Sequence, residues 1–202
     1  MKQWWLVIVL AVILIAFGVY DVVKPFSSTP VVADIIAGTP NATYTNSQLG
    51  FSLQYPSTAT SSAFDFTGYL PLTQTPVTSF VLPADMSAGT NLGQAGVYIG
   101  ATTSPSIVTT CATAQQNSGE IATTSATIGG TVFSVFTSND AGAGNFYETK
   151  SYRAVVNGSC LEINETLHSG NIGNYTPGTV TEFDHAKFSG ILDAIVQTYQ
   201  SL

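Results

Sequence analysis

The chain has 202 residues, only 8% of them charged, and a formal charge of −7. Past Lys24 its cations are Lys150, Arg153 and Lys187, too few for the basic footprint that nucleic acid requires. Beyond the N-terminal region, Ser, Thr and Asn must supply the polar surface.

Residues Trp4 to Tyr20 form an uncharged run of seventeen positions. As a helix it is roughly 26 Å long, close to the hydrocarbon thickness of a bilayer. Lys2 precedes the run and Asp21 follows it, which favours a cytoplasmic N-terminus and an exported remainder. Trp4, Trp5 and Tyr20 fall where aromatic rings settle at the two interfaces, and the run is longer than a signal peptide's apolar core. The expectation is an uncleaved, single-pass anchor over residues 1–23, with the rest outside the cytoplasm at the cell membrane. The alternative is secretion after cleavage at Ala16-Phe17-Gly18 or Val31-Val32-Ala33. No Cys ends the run, so a lipoprotein is ruled out, and no acidic residue near its start supports a type IV pilin.

Residues 24–42 carry Pro25, Ser27, Ser28, Thr29, Pro30, Gly38, Thr39 and Pro40 with no apolar period, the composition of an extended linker. Residues 43–202 suffice for one domain with a real core.

Tyr44-Thr45-Asn46 reads as a polar turn. In Phe51 to Pro56, Phe51, Leu53 and Tyr55 alternate with Ser52 and Gln54, which predicts a half-buried strand that Pro56 ends. Phe64 to Pro76 reads as a Thr- and Pro-rich surface excursion, followed by strands at Val77–Leu82 and Gly96–Thr103. Ser104-Pro105 predicts a helix start, with the helix continuing to about Asn117. Two hairpins follow: Ile121–Ile128 with Thr131–Thr137 around Gly129-Gly130, and Phe146–Val156 with Ser159–Leu167 around Asn157-Gly158. Between them, Gly142-Ala143-Gly144 reads as a flexible turn.

The Asn157-Gly158 loop also sets a register. Two loop residues pair Val156 with Ser159, and therefore Arg153 with Glu162 and Lys150 with Glu165, as opposed charges across the strands. These cations are thus assigned to the sheet rather than to an active site. Phe188, Ile191, Leu192, Ile195, Val196 and Tyr199 form one apolar stripe of a closing helix toward Leu202, with Asp184 as its N-cap.

Cys111 and Cys160 are an even pair in an exported domain, so a disulfide is expected. Sequons stand at Asn41, Asn157, Asn164 and Asn174, but in so Ser- and Thr-rich a chain they carry no weight unless the host glycosylates.

The opening YTNSQLGFSLQYP (Tyr44 to Pro56), with the closing FSGILDAIVQTY, resembles the PsbP-like family, whose bacterial members are exported and often membrane-tethered. The resemblance covers both ends of the domain and, by element order, its middle. It implies an α+β fold: an α/β/α sandwich with a central antiparallel sheet, here preceded by one N-terminal transmembrane helix. The photosynthetic members act at a metal-containing complex, but no residues here match a shared metal site, and that role is not carried over.

The residues themselves supply little catalytic chemistry. On a strand, Glu162 and His168 lie roughly 20 Å apart and Glu165 faces the other way, so the three cannot share an ion. Glu182, Asp184 and His185 read as helix-start charges. No Gly-x-Ser-x-Gly occurs, the cysteines are better used on each other, and Gly142-Ala143-Gly144 lacks a phosphate-cradle lysine. No catalytic, cofactor or metal residue is assigned. Phe64, Phe66 and Tyr69 are the candidate partner-contact residues, with burial as a satellite cluster under the loop as the alternative.

The expected function is a non-enzymatic, membrane-anchored, extracytoplasmic binding or scaffold domain of the cell envelope. Its expected partners are the membrane, through the N-terminal helix, and an unknown envelope protein or glycan. A structural subunit of a surface assembly is the alternative. A hydrolase comes third, since it would need a pocket gathering two or more titratable groups.

Overall fold

A computed structural model describes residues 34–62, 67–73, 75–115 and 119–202. The apolar run at Trp4–Tyr20 lies outside the described residues, as do most of the 24–42 linker, Phe64 and Phe66. No helix among the described residues is long and apolar enough to cross a membrane.

Among the described residues, ten strands form two antiparallel sheets. β1 (Asn41–Asn46), β2 (Phe51–Pro56) and β10 (Gln200–Ser201) make a small sheet in the order β1-β2-β10. The large sheet has the order β3-β4-β5-β9-β8-β7-β6. Its strands are β3 (Thr60–Ser62), β4 (Pro76–Val81), β5 (Leu92–Thr102), β6 (Ile121–Ile128), β7 (Thr131–Gly142), β8 (Asn145–Val156) and β9 (Ser159–Gly170). Among the described residues two α-helices, α1 (Pro105–Thr110) and α2 (His185–Gln197), complete an α+β fold.

The β8–β9 hairpin has the register derived from its loop: Val156 faces Ser159, Arg153 faces Glu162 and Lys150 faces Glu165. Asn157 and Gly158 both adopt positive φ, 49° and 77°, as a primed two-residue turn demands. Strand alternation then fixes what each face carries. Leu161, Ile163 and Leu167 of β9 join Tyr152, Phe133, Val97 and Ile99 in one apolar core. α2 closes that core with Phe188, Leu192, Ile195 and Val196, and the small sheet adds Phe51 and Leu53. The opposite face is polar: Glu162, Asn164, Thr166 and His168 of β9 stand beside Arg153, Ser151, Thr149 and Tyr147 of β8. α1 lies on this side, its Ile107 and Val108 packed on the Cys111–Cys160 disulfide.

Several elements differ from the sequence expectation. Tyr44–Asn46 is strand, not turn, because the Tyr44 ring packs against Phe51 and Phe80. The reversal comes after it, where Asn46 Oδ1 accepts from Leu49 N–H and Gly50 takes φ +72°. β1 therefore begins at Asn41, inside the span read as linker. α1 starts at Ser104-Pro105 but stops at Thr110. Cys111 is held by Cys160, and the Thr109 and Thr110 hydroxyls bond back to the carbonyls of Pro105 and Ser106.

α2 is capped by the Asp184 carboxylate, which accepts from Lys187 N–H, and ends at Gln197 rather than near Leu202. Thr198 Oγ1 accepts from Gln54 N–H at 2.7 Å, and the chain turns to pair as β10 with β2. Tyr199 is still fully buried, stacked on Phe51 and edge-on to Phe133.

Arg153 is buried completely and lies 3.9 Å over the Phe136 ring centroid. It donates to Glu120 Oε2 at 2.5 Å, and Glu162 faces it across the strand pair. Glu162 accepts from Thr73 N–H at 2.9 Å, from Thr73 Oγ1 at 2.9 Å and from Leu72 N–H at 3.4 Å. The cation thus fastens two irregular segments onto the polar face. Arg153→Met strands both carboxylates in the interior and should cost about 3–5 kcal/mol by urea denaturation near neutral pH. That loss should shrink as the pH falls, because the stranded Glu162 carboxyl, raised by burial, takes up a proton.

Gly129 tests the closing strand. A Cβ there would lie 2.2 Å from the Tyr199 carbonyl oxygen, and the residue holds φ +54°. Gly129→Ala should therefore lower stability by about 2 kcal/mol or more, read as a reduced urea midpoint with unchanged m.

Candidate functional site

Two recesses flank β7–β9, one on each side of the sheet. The polar-face recess encloses about 740 Å³ between the segment Thr67–Tyr69, a single 3₁₀ turn, and the strands. Its lining comes from alternate positions of neighbouring strands: Ser138 and Asp140 of β7, Tyr147 and Thr149 of β8, and Thr166 of β9. Tyr69, Pro71 and Asn139 also border it.

Its aromatic walls are held by other rings. Tyr69 stacks on Tyr98 with centroids 4.3 Å apart, and its hydroxyl donates to Gln94 Oε1 at 3.2 Å. The Tyr69 carbonyl accepts from Asn164 Nδ2 at 2.6 Å, which pins the turn to β9. Tyr147 stacks on His168 at 4.4 Å, and His168 Nε2 lies 3.0 Å from Asn145 Oδ1. Burial, and then the neighbouring Tyr147, raise the Tyr69 phenol above its ordinary pKa. Burial raises that of Tyr98 further. Both stay neutral at physiological pH.

The second recess, about 360 Å³, opens between the sheet and α2. Glu148, Lys150, Glu165, His185 and Asp193 line it over Leu167 and Leu192. Lys150 Nζ pairs with Asp193 and lies 3.9 Å from Glu165 Oε2. Tyr152 Oη donates to Asp193 Oδ1 at 3.0 Å, and His185 Nε2 lies 2.9 Å from Glu148 Oε2. Glu165 is only 5% exposed, and its Oε1 has no hydrogen-bond partner. Burial, then Asp193, push its carboxyl up to about 8 against the opposing pull of Lys150.

The expected contact residues divide. Tyr69 lines the polar-face recess and also joins the small Leu70–Tyr98 cluster, whereas Phe64 and Phe66 lie outside the described residues. Cys111 and Cys160 form the expected disulfide. Lys150 and Arg153 keep their predicted cross-strand partners, yet each has a closer acid from another element, Asp193 and Glu120. Among the described residues no three His, Cys, Asp or Glu gather into a metal-holding group. Asn164 is fully buried and so is closed to glycosylation in the folded domain.

Tyr147, Thr149 and Thr166 were not singled out from sequence, and His168 was weighed there only as a metal ligand, although the signal was there. The register that pairs Arg153 with Glu162 also pairs Thr149 with Thr166 and Tyr147 with His168. The contributions of Ser138 and Asp140 had no such signal, because they depend on the β7–β8 pairing.

No protein-family model matches the chain, and no curated protein sequence matches it. Solved structures do resemble it. The solution structure of cyanobacterial PsbP (CyanoP) from Synechocystis is 9% identical, covers 81% of this chain and 94% of its own, and has TM-score 0.49. A crystal structure of LpqN, described as involved in cell envelope biogenesis of Mycobacterium tuberculosis, is 11% identical over 81% and 86%, with TM-score 0.42. A crystal structure from Bacteroides thetaiotaomicron is 13% identical over 79% of this chain and 48% of its own, with TM-score 0.44. A PsbP is therefore among the solved structures that resemble this chain. No functional assignment is taken from these likenesses.

Glu165 yields a pH prediction. The folded carboxyl holds its proton up to about pH 8, whereas an unperturbed glutamate releases it near 4.5. The folded state therefore binds more protons across that window, and stability falls as pH rises through it. Glu165→Gln should remove this slope, leaving the variant relatively more stable at pH 8 than at pH 5 when both proteins are melted at each pH.

Proposed function

We propose that residues 34–202 form a non-catalytic, extracytoplasmic binding domain of the cell envelope, held at the membrane by the Trp4–Tyr20 segment. The observation that carries this reading is the polar-face recess, where rigidly backed aromatic rings and neutral hydroxyls surround an open volume of about 740 Å³. That lining suits recognition, since among the described residues it sets no nucleophile beside a base. The disulfide between Cys111 and Cys160 supports residence in an oxidising compartment.

The second recess does gather the titratable groups that hydrolysis would need. They are engaged with one another: Lys150 lies between Glu165 and Asp193, and Tyr152 bonds Asp193. Their role on this reading is to seat α2 on the sheet.

A surface assembly is the second reading, favoured by β6. This edge strand, Ile121–Ile128, carries no charge and no proline, and all but Ala126 and Ile128 are exposed. Such an edge invites pairing with another strand, although the irregularity between Ala122 and Thr124 interrupts it.

Chemical crosslinking on intact membranes followed by mass spectrometry tests the two readings together. The binding reading expects crosslinks from the Tyr69–Tyr147 side to other envelope components, and a monomer in sedimentation at high concentration. Crosslinks between copies through β6, abolished by Thr124→Lys, would instead support assembly. An impermeant label that finds the domain facing the cytoplasm removes both.

A further inference from the structure

The lining of the polar-face recess narrows what it can hold. No lysine or arginine borders it among the described residues, so it offers an anion no counter-charge. Among the described residues its one charged border residue is Asp140, an exposed carboxylate with no second acid beside it to complete a cation site. A peptide adding a strand needs open backbone groups, but the recess is built on the face of β7–β9, where those groups are spent in the sheet. A lipid chain would strip water from the Ser138 hydroxyl and from the Thr149–Thr166 hydroxyl pair, whose 3.4 Å bond leaves further hydrogen-bonding capacity unused.

What remains is a ligand that is uncharged, has flat C–H faces and carries many hydroxyls. The electron-rich faces of tyrosine rings attract polarised C–H groups, and ring faces fixed in advance lose little freedom on binding. Here Tyr69 is backed by Tyr98 and Tyr147 by His168, with interplanar angles of 9° in each pair. The volume falls within the range of small-molecule sites, roughly 300–1,000 Å³.

We infer that the recess between Tyr69 and Tyr147 binds an uncharged oligosaccharide, with sugar faces against the two tyrosines and sugar hydroxyls bonded to Ser138, Thr149 and Thr166. This rests on the binding-domain reading and names its ligand class.

The test uses the full chain in a non-glycosidic detergent, titrated with chitotriose, cellotriose and maltotriose, with trigalacturonate as the anionic comparison. Saturation-transfer NMR and calorimetry should find sub-millimolar binding of at least one neutral trimer and none of trigalacturonate. Tyr147→Ala should weaken that binding about tenfold or more, and Tyr147→Phe far less. Ser138→Trp, which fills the recess and keeps both tyrosines, should abolish binding with an unchanged melting curve.

Failure of every neutral trimer to saturate overturns the inference. So does equal binding of trigalacturonate, or wild-type affinity in Ser138→Trp. A photo-crosslinker at Ser138 separates the two levels of the argument. If it captures an envelope protein in membranes while no trimer binds, the oligosaccharide falls and the binding domain stands. If it captures nothing and no trimer binds, both fall.

Discussion

The polar face of the sheet depends on Arg153. Its guanidinium is fully buried against Phe136 and paired with Glu120, opposite Glu162. Burying such a group costs several kcal/mol before any attraction is counted, so net stability is a poor account of its presence. Its Nε and Nη1 have no hydrogen-bond partner, and the Glu162 carboxyl is raised above its ordinary pKa by burial despite the donors around it. What the cluster supplies is position. Through Glu162 it holds Leu72 and Thr73, and through Glu120 the approach to β6, so two segments without regular structure are seated on strands. Tyr69 lies a few residues before Thr73, and the wall it forms inherits that constraint. The Cys111–Cys160 bond does similar work for α1, closing a separation of 49 residues that is worth about 4 kcal/mol in loop entropy.

On the reading proposed here, stability and recognition are thereby divided between the two sides of one sheet. The α2 side is a continuous apolar core in which Phe51, Phe133 and Tyr199 pack ring to ring, with the small sheet sealing one end. That side supplies most of the burial that opposes chain entropy. The other side can then carry hydroxyls, amides and partly exposed tyrosines whose burial would add little. The exception on the core side is the Glu165–Lys150–Asp193 group at the edge of α2, where a carboxyl with an unbonded oxygen lies next to apolar Leu167 and Leu192.

How far the sequence reaches follows from which interactions are local. The β8–β9 register was legible because Asn157-Gly158 admits one tight turn, and a two-residue loop leaves no freedom in pairing. The closing helix was legible through Phe188 only as far as Val196. Its apolar period runs on to Tyr199, which is indeed buried, but on the turn into β10 rather than on the helix. Burial pattern alone cannot separate those two backbones, and the deciding bond, Gln54 N–H to Thr198 Oγ1, joins residues 144 positions apart. The same limit hid Glu120 behind Glu162, the partner nearer in sequence, and Asp193 behind Glu165. Tyr44 was misread because its neighbours Thr45 and Asn46 are polar, whereas its packing against Phe80 is long-range. The recess was half visible: Tyr147 and His168 follow from the legible register, while Ser138 waits on a pairing across Ala143-Gly144 that nothing local dictates.

These features bear on what kind of binding the domain is suited to. A recess whose rings are already stacked on Tyr98 and His168 loses little freedom on occupation, but it offers no buried charge and few donors fixed by other bonds. On the reading proposed here, such a site suits modest affinity and quick release. Weak capture is sufficient for a domain tethered beside its ligand, because tethering replaces bulk concentration with a local one that reaches the millimolar range for short flexible linkers. On the reading proposed here, the apolar N-terminal segment and the shallow affinity of the recess are therefore two parts of one arrangement. The membrane supplies the concentration, and the rigid polar face, fixed in place by Arg153, supplies the selectivity.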